Sequence, residues 1–242
     1  MRRPPIDTAM VLAAGFGKRL RPITDTVPKP LVAVGGKTML DRALDAVQAA
    51  GIGRAVVKVH YLGEQIIAHC DQRDRPEIAI SDERDRILET GGGVVKALPL
   101  IGTAPFALVN ADTFWVDRGR STLPAMIDMF DPARMDMLLL TVRLADTTGH
   151  SGGVDFTRDP EGRITRATRH EADGLIYAGA AIIDPAALAG ADAEPHSLNI
   201  HFDRSIAAGR LFTHTLEDGH WYTVGTPDGL AAVDAHLAAH AV

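Results

Sequence analysis

In the first half of the chain, apolar residues fall into short unbroken runs, with helix-period patterns between them. Ala9–Ala14 is one such run, closed by glycine, as expected of a strand buried on both faces of a parallel sheet. Leu31–Val34 reads as a short extended piece before a turn at Gly35-Gly36. Thr38 then opens a helix: Asp41 completes a capping-box pattern, Leu40, Ala43, Leu44 and Val47 share one face, and Gly51 stops it. Ala55–Val59 predicts a second strand, Leu62–Cys70 a short helix, Ile78–Ile80 a third strand, Gly92–Leu98 a helix start and Phe106–Val109 a fourth strand. Strands alternating with helices predict an α/β fold with a Rossmann-like doubly wound sheet and right-handed crossovers.

The second half is less regular. Met135–Leu144 and Leu175–Ile183 read as long strands, and Val154–Phe156 with Arg163–Ala167 as a hairpin about Asp159-Pro160-Glu161-Gly162. Ser197–Ala208 predicts a helix ended by Gly209, Leu211–Leu216 and Trp221–Val224 two more strands, and Pro227–His240 a closing helix with proline near its start. No repeat or linker interrupts this order. The expectation is one domain over residues 1–242, with 1–8 a short N-terminal extension and the mixed sheet carrying an antiparallel extension.

Composition narrows the function. With 242 residues and 46% hydrophobic content the chain can bury one sizeable core. No apolar run approaches the roughly 18 residues a membrane span needs, and Met1-Arg2-Arg3-Pro4-Pro5 leads into no signal-peptide core. Cys70 is the single cysteine and reads as a small core residue, so no disulfide or multi-cysteine metal site is expected. A cytoplasmic protein with no membrane partner follows. The net charge of −6 argues against nucleic acid. Yet Lys18, Arg19, Arg21 and Lys29 stand against only Asp25 between Gly15 and Pro30. That patch is either a solvated basic loop or a local anion site.

The residue types favour the anion site. Gly15 and Gly17 follow the first strand, where ligands of α/β sheets bind, and let backbone N–H groups approach an anion. Arg19 can grip two phosphate oxygens, and Pro28 and Pro30 stiffen the backbone around Lys29. A dinucleotide fingerprint fails because Leu20 occupies its third glycine position. A Walker A loop at Gly36-Lys37-Thr38 fails because Leu31 occupies its first glycine. Asp112 follows a strand and is either a turn or cap residue or a hard oxygen ligand suited to Mg²⁺. Gly91–Gly93 reads as a loop before a helix near Val94. Gly149-His150-Ser151-Gly152-Gly153 has hydrolase spacing, but a hairpin follows where that motif needs a helix.

The blocks Leu12–Thr24, Val27–Leu31, Leu88–Gly93, Leu108–Asp112 and Trp221–Thr226 together resemble the sugar-1-phosphate nucleotidyltransferases over almost the whole chain. Within that family the compact length and the Glu-Thr-Gly-Gly-Gly block resemble the uridylyltransferases of N-acetylmuramate 1-phosphate most. Mannose-1-phosphate guanylyltransferases are the close alternative. The resemblance implies attack by a sugar phosphate oxygen on the α-phosphate of a nucleoside triphosphate, with Mg²⁺ as cofactor and pyrophosphate released. It implies that Arg19 holds the pyrophosphate, Lys29 meets the α-phosphate and Asp112 binds the metal. Ala13, Ala14, Gly15, Gly17, Lys18, Glu89, Thr90, Gly91 and Gly92 fall on the nucleotide side. Candidates for the sugar half are Asn110, Arg166, Glu171 and Gly179, the last because small strand residues leave room for a ring. Many relatives carry a second metal-binding aspartate where this chain has Thr223, so a lighter metal shell, or a binding module without catalysis, is the alternative it raises. The partners implied are an NTP and a sugar 1-phosphate, with a homo-oligomer possible.

Overall fold

The computed structural model describes residues 6–159, 163–168 and 173–240. Four parallel strands lie in the spatial order Glu77–Asp82, Arg54–Val59, Thr8–Leu12, Phe106–Asn110. Numbered along the chain, this order is 3-2-1-4. Successive connections therefore leave the first strand in opposite directions, and a crevice opens at its carboxyl end beside Phe106–Asn110.

Side-chain alternation explains why the strands read as unbroken apolar runs. Val11, Val57 and Val109 point to one face, where Leu40, Leu44, Ile66 and Met126 cover them. Met10, Val56 and Leu108 point to the other, under Val94, Ala97, Leu198 and Phe202. Both faces are buried, so no polar alternation survives. Each such side chain contributes about 1.5–3 kcal/mol. The expected doubly wound sheet is present.

Beyond Phe106–Asn110 the sheet turns antiparallel. Leu175–Ile183 pairs with that strand on one edge and with Met137–Arg143 on the other, and Leu211–Thr215 runs parallel to Met137–Arg143. The hairpin of Phe156–Arg158 with Ile164–Arg166 forms as expected and joins at Leu175. Its tip, 160–162, lies outside the described residues. The register along Leu175–Ile183 shifts between Tyr177 and Ala181, and Gly179 sits within this bulge at φ +80°.

Several elements were not legible beforehand. Thr113–Asp117 pairs antiparallel with Gly219–Thr223, which also pairs with Thr147–Thr148 in a small second sheet. The helix Thr122–Met129 covers part of the first face. The second sheet shares a core with Leu20, Met39, Val233 and Leu237, and so ties the glycine loop to the closing helix Pro227–Ala239. A correction concerns Gly91–Gly93. They lie inside the helix Glu89–Ile101, not in a loop before it. Gly91 and Gly92 give their amides to the His196 carbonyl, and a Cβ at Gly92 would collide with the Glu194 backbone.

The hydrolase-like spacing also resolves structurally. After Thr147–Thr148 the chain runs through Ser151 to the strand Phe156–Arg158 with no intervening helix, so the strand-to-helix nucleophile turn is absent. Cys70 is buried and free, and burial pushes its thiol up to about 11, which keeps it unreactive.

Candidate active site

Thr8–Leu12 and Phe106–Asn110 end side by side, and the chain beyond each end forms the walls of a pocket of about 290 Å³. Leu12, Ala14, Gly15 and Asn110 come from these strand ends, Lys29 and Pro30 from the loop, Lys58 from the neighbouring strand. Glu89, Thr90 and Asp112 complete the polar lining. Seven of these residues, Ala14, Gly15, Lys29, Glu89, Thr90, Asn110 and Asp112, are ones the sequence singled out.

The loop divides the labour between its glycines. Gly15 is exposed, and the space a Cβ would fill there is open. Gly17, at φ +62°, packs instead against Thr24 and Lys29; a Cβ would lie 2.8 Å from the Thr24 methyl. The Thr24 hydroxyl donates to the Gly17 carbonyl at 2.8 Å. Gly17 thus shapes the turn that delivers Lys29, while Gly15 faces free space. Ala13 is buried beneath the pocket. Lys18 is exposed with its ammonium 5.1 Å from the Phe16 ring centre. Arg19 is exposed outside the lining, its guanidinium alongside Gly225.

Lys29 begins a short 3₁₀ turn and is one of the few buried charges. Its ammonium lies 2.7 Å from Asp112 Oδ2; the lysine side chain is 10% exposed and the aspartate 41%. A desolvated ammonium requires an anion. In this protein the carboxylate provides it, and an incoming phosphate carries the same kind of oxygen. Val224 donates to the Asp112 carbonyl at 3.5 Å, which places Thr223 and its strand next to the aspartate. Among the described residues, no three or more His, Cys, Asp or Glu side chains gather as a ready-made metal cluster.

Gly179 stands behind Asn110: a Cβ there would come within 3.1 Å of the Asn110 amide nitrogen and collide with Thr113. Arg166 is held away from the pocket, donating to Asp203 at 2.7 Å and Asn199 Oδ1 at 3.0 Å. Asp155 accepts the Tyr177 amide and Asp203 the Arg166 guanidinium, so neither carboxylate is turned to Asp112 as a replacement for the missing aspartate. Glu171, with Arg169 and His170, lies outside the described residues. Sequence reasoning missed Lys58 and Ile87 in the lining, and Glu83 behind them. The Tyr177 hydroxyl is buried with no hydrogen-bond partner among the described residues, and burial followed by Asp112 and Asp155 pushes its pKa up.

The chain is similar to known proteins in sequence and in fold. Residues 8–166 match the family model described as nucleotidyl transferase. The N-acetylmuramate alpha-1-phosphate uridylyltransferase of Caulobacter vibrioides is 37% identical over 95% of this chain and 96% of its own. A mannose-1-phosphate guanyltransferase of Hypocrea jecorina is 29% identical over 90% of this chain but only 60% of its own. A crystal structure of a putative glucose-1-phosphate thymidylyltransferase from Bacillus anthracis shares the fold, with a TM-score of 0.78 at 15% identity over 95% of this chain and 94% of that one. The matched segment spans the glycine loop, Lys29 and Asp112, and on that ground the chain belongs to the nucleotidyl transferase family.

Proposed function

We propose that this protein transfers UMP from UTP to N-acetylmuramate 1-phosphate, forming UDP-N-acetylmuramate and pyrophosphate. The observation that carries the reading is the Lys29–Asp112 pair at 2.7 Å in a pocket at the switch point of the sheet. The similarity to the Caulobacter uridylyltransferase supports the choice of substrates. A sugar phosphate oxygen bonds to the α-phosphorus as its bond to the bridging oxygen breaks, and the electron pair leaves with pyrophosphate. Lys29, buried and held by its proline-framed turn, meets the charge that grows on the α-phosphate without having to be reoriented. Gly15 leaves room for the triphosphate, and Arg19, reaching out beside Gly225, meets its leaving end. Asn110, buttressed by Gly179, faces the sugar half.

The residues fit Mg²⁺. Asp112 offers hard oxygens to solvent at the pocket, and an ion that keeps much of its shell in water and phosphate oxygen needs few protein ligands. When bound, it would neutralise charge on the triphosphate. Consumption of an NTP and a sugar 1-phosphate supports a cytoplasmic setting for the reaction. Pyrophosphate release, screened over four NTPs and a panel of sugar 1-phosphates with Mg²⁺, tests the reading. UTP with N-acetylmuramate 1-phosphate is expected to be fastest. GTP with mannose 1-phosphate would indicate the guanylyl alternative. Binding of both substrates without release would favour the non-catalytic module that Thr223 suggests.

A further inference from the structure

Lys58 and Glu83 form a buried ion pair at 3.1 Å, with side chains 4% and 0% exposed, directly behind the pocket wall. Lys58 interrupts the apolar strand Arg54–Val59 and reaches the pocket lining. Burial without exact compensation makes such a pair a poor source of stability. Its hydrogen bonds point to another use. Lys58 also donates to the Glu89 carbonyl, and Glu83 Oε2 accepts the Leu88 amide at 2.9 Å. The pair therefore grips both sides of the peptide that enters the helix Glu89–Ile101. Glu89 itself sits at φ +57°, a left-handed conformation that a side chain larger than glycine adopts only when held. On the far side, Thr90 Oγ1 accepts the Leu198 amide at 2.9 Å and Gly91 donates to the His196 carbonyl at 2.8 Å. Glu89 and Thr90 line the pocket between these two anchors. Gly93 is required beneath them, because a Cβ there would strike both Lys58 and Glu83.

We propose that the Lys58–Glu83 pair is a positioning device for the nucleotide: it holds Glu89 in its left-handed turn and so presents the Glu89–Thr90 wall preformed to the nucleoside end of the triphosphate. This rests on the nucleotidyl-transfer reading for the identity of the ligand. Neither residue need touch the reacting atoms. Replacing both charges, in Lys58→Met/Glu83→Gln, avoids a lone buried charge while removing the grip on the Glu89 carbonyl. With UTP, the KM is expected to rise by about tenfold, while kcat and the KM for the sugar 1-phosphate change by less than about threefold. A purely structural pair would lower the melting temperature and leave these ratios alone.

The decisive control is a cycle through Glu89→Gly, since glycine holds φ +57° unaided. On that background the double substitution is expected to weaken UTP by less than about threefold. Equal weakening on both backgrounds, or an unchanged UTP KM in the folded double variant, would overturn the proposal. If the double variant does not fold, the apolar pair Lys58→Met/Glu83→Met takes its place, which also leaves no lone charge: about tenfold weaker UTP is expected, and binding within about twofold of the parent overturns the proposal. UTP binding measured by calorimetry without sugar phosphate reads the same quantity when turnover is absent. A parent that binds UTP but does not turn over contradicts the catalytic reading alone, and the cycle is then read by calorimetry.

Discussion

At the scale of single residues, the site depends on charges and on missing side chains. Lys29→Ala removes the buried ammonium opposite Asp112, and Asp112→Ala removes the hard oxygen and strands the ammonium. Each is expected to lower turnover by at least about 100-fold, the size typical of losing a main electrostatic stabiliser; near-normal rates in steady-state assays would refute that residue's role. Gly179→Ala acts through geometry. Its φ of +80° and the closeness of Asn110 and Thr113 leave no place for a methyl group. The expected loss is about 1–3 kcal/mol in urea unfolding, with weaker use of the sugar phosphate through Asn110. Lys29 and Gly15 stood out because glycine, proline and charge cluster in one loop, whereas Asp112 was singled out only through the family resemblance. Lys58 did not stand out. Its only signal was one lysine inside the run Ala55–Val59, and its partner Glu83 lies in Asp82-Glu83-Arg84-Asp85-Arg86, which reads as an ordinary solvated charge run.

At the scale of elements, the closing helix docks through imidazoles. His220 and His236 stack at 4.4 Å, His236 and His240 at 4.0 Å, and Tyr222 bonds His236 at 3.0 Å. Burial, then neighbouring imidazoles and Arg118, lowers the pKa of both His220 and His236 below 6.5. A group with a lower pKa folded than unfolded takes its proton more readily when unfolded. Stability is therefore whole above pH 6.5 and falls as the pH drops through that value. Asp41 and Asp45 do not compete in this window. Burial raises both, but Thr38, His69 and Arg73 around Asp41, and Lys37 and Arg73 around Asp45, hold them below 3.8. The melting temperature is expected to fall between about pH 7.5 and about pH 5.5, and His236→Gln should flatten that slope. An unchanged slope would contradict the helix contribution. Elements in the first half were readable because two buried faces give unbroken runs between glycine stops. Thr113–Asp117 was hidden because Asn110-Ala111-Asp112 turns directly into it, and Gly91–Gly93 read as loop because their helix is imposed by packing against His196 and Glu194.

At the scale of the whole molecule, a 3-2-1-4 parallel core opens one crevice, walled by its strand ends, the glycine loop and the start of the helix Glu89–Ile101, and an antiparallel extension continues the sheet beside it. The parallel half was legible as alternation of strand and helix. The extension's pairing was not, because Leu175–Ile183 has partners far apart in sequence and its register changes at a glycine bulge. The glycine loop, the Lys29–Asp112 pair and the second sheet all converge on the same crevice, and UMP transfer there is the central claim. Its most direct measurement is product analysis by phosphorus NMR after incubation with UTP, N-acetylmuramate 1-phosphate and Mg²⁺. The predicted result is UDP-N-acetylmuramate and pyrophosphate in equal amounts, both absent with Lys29→Ala. UTP left intact while bound, or UTP cleaved without a nucleotide-sugar product, would contradict the account.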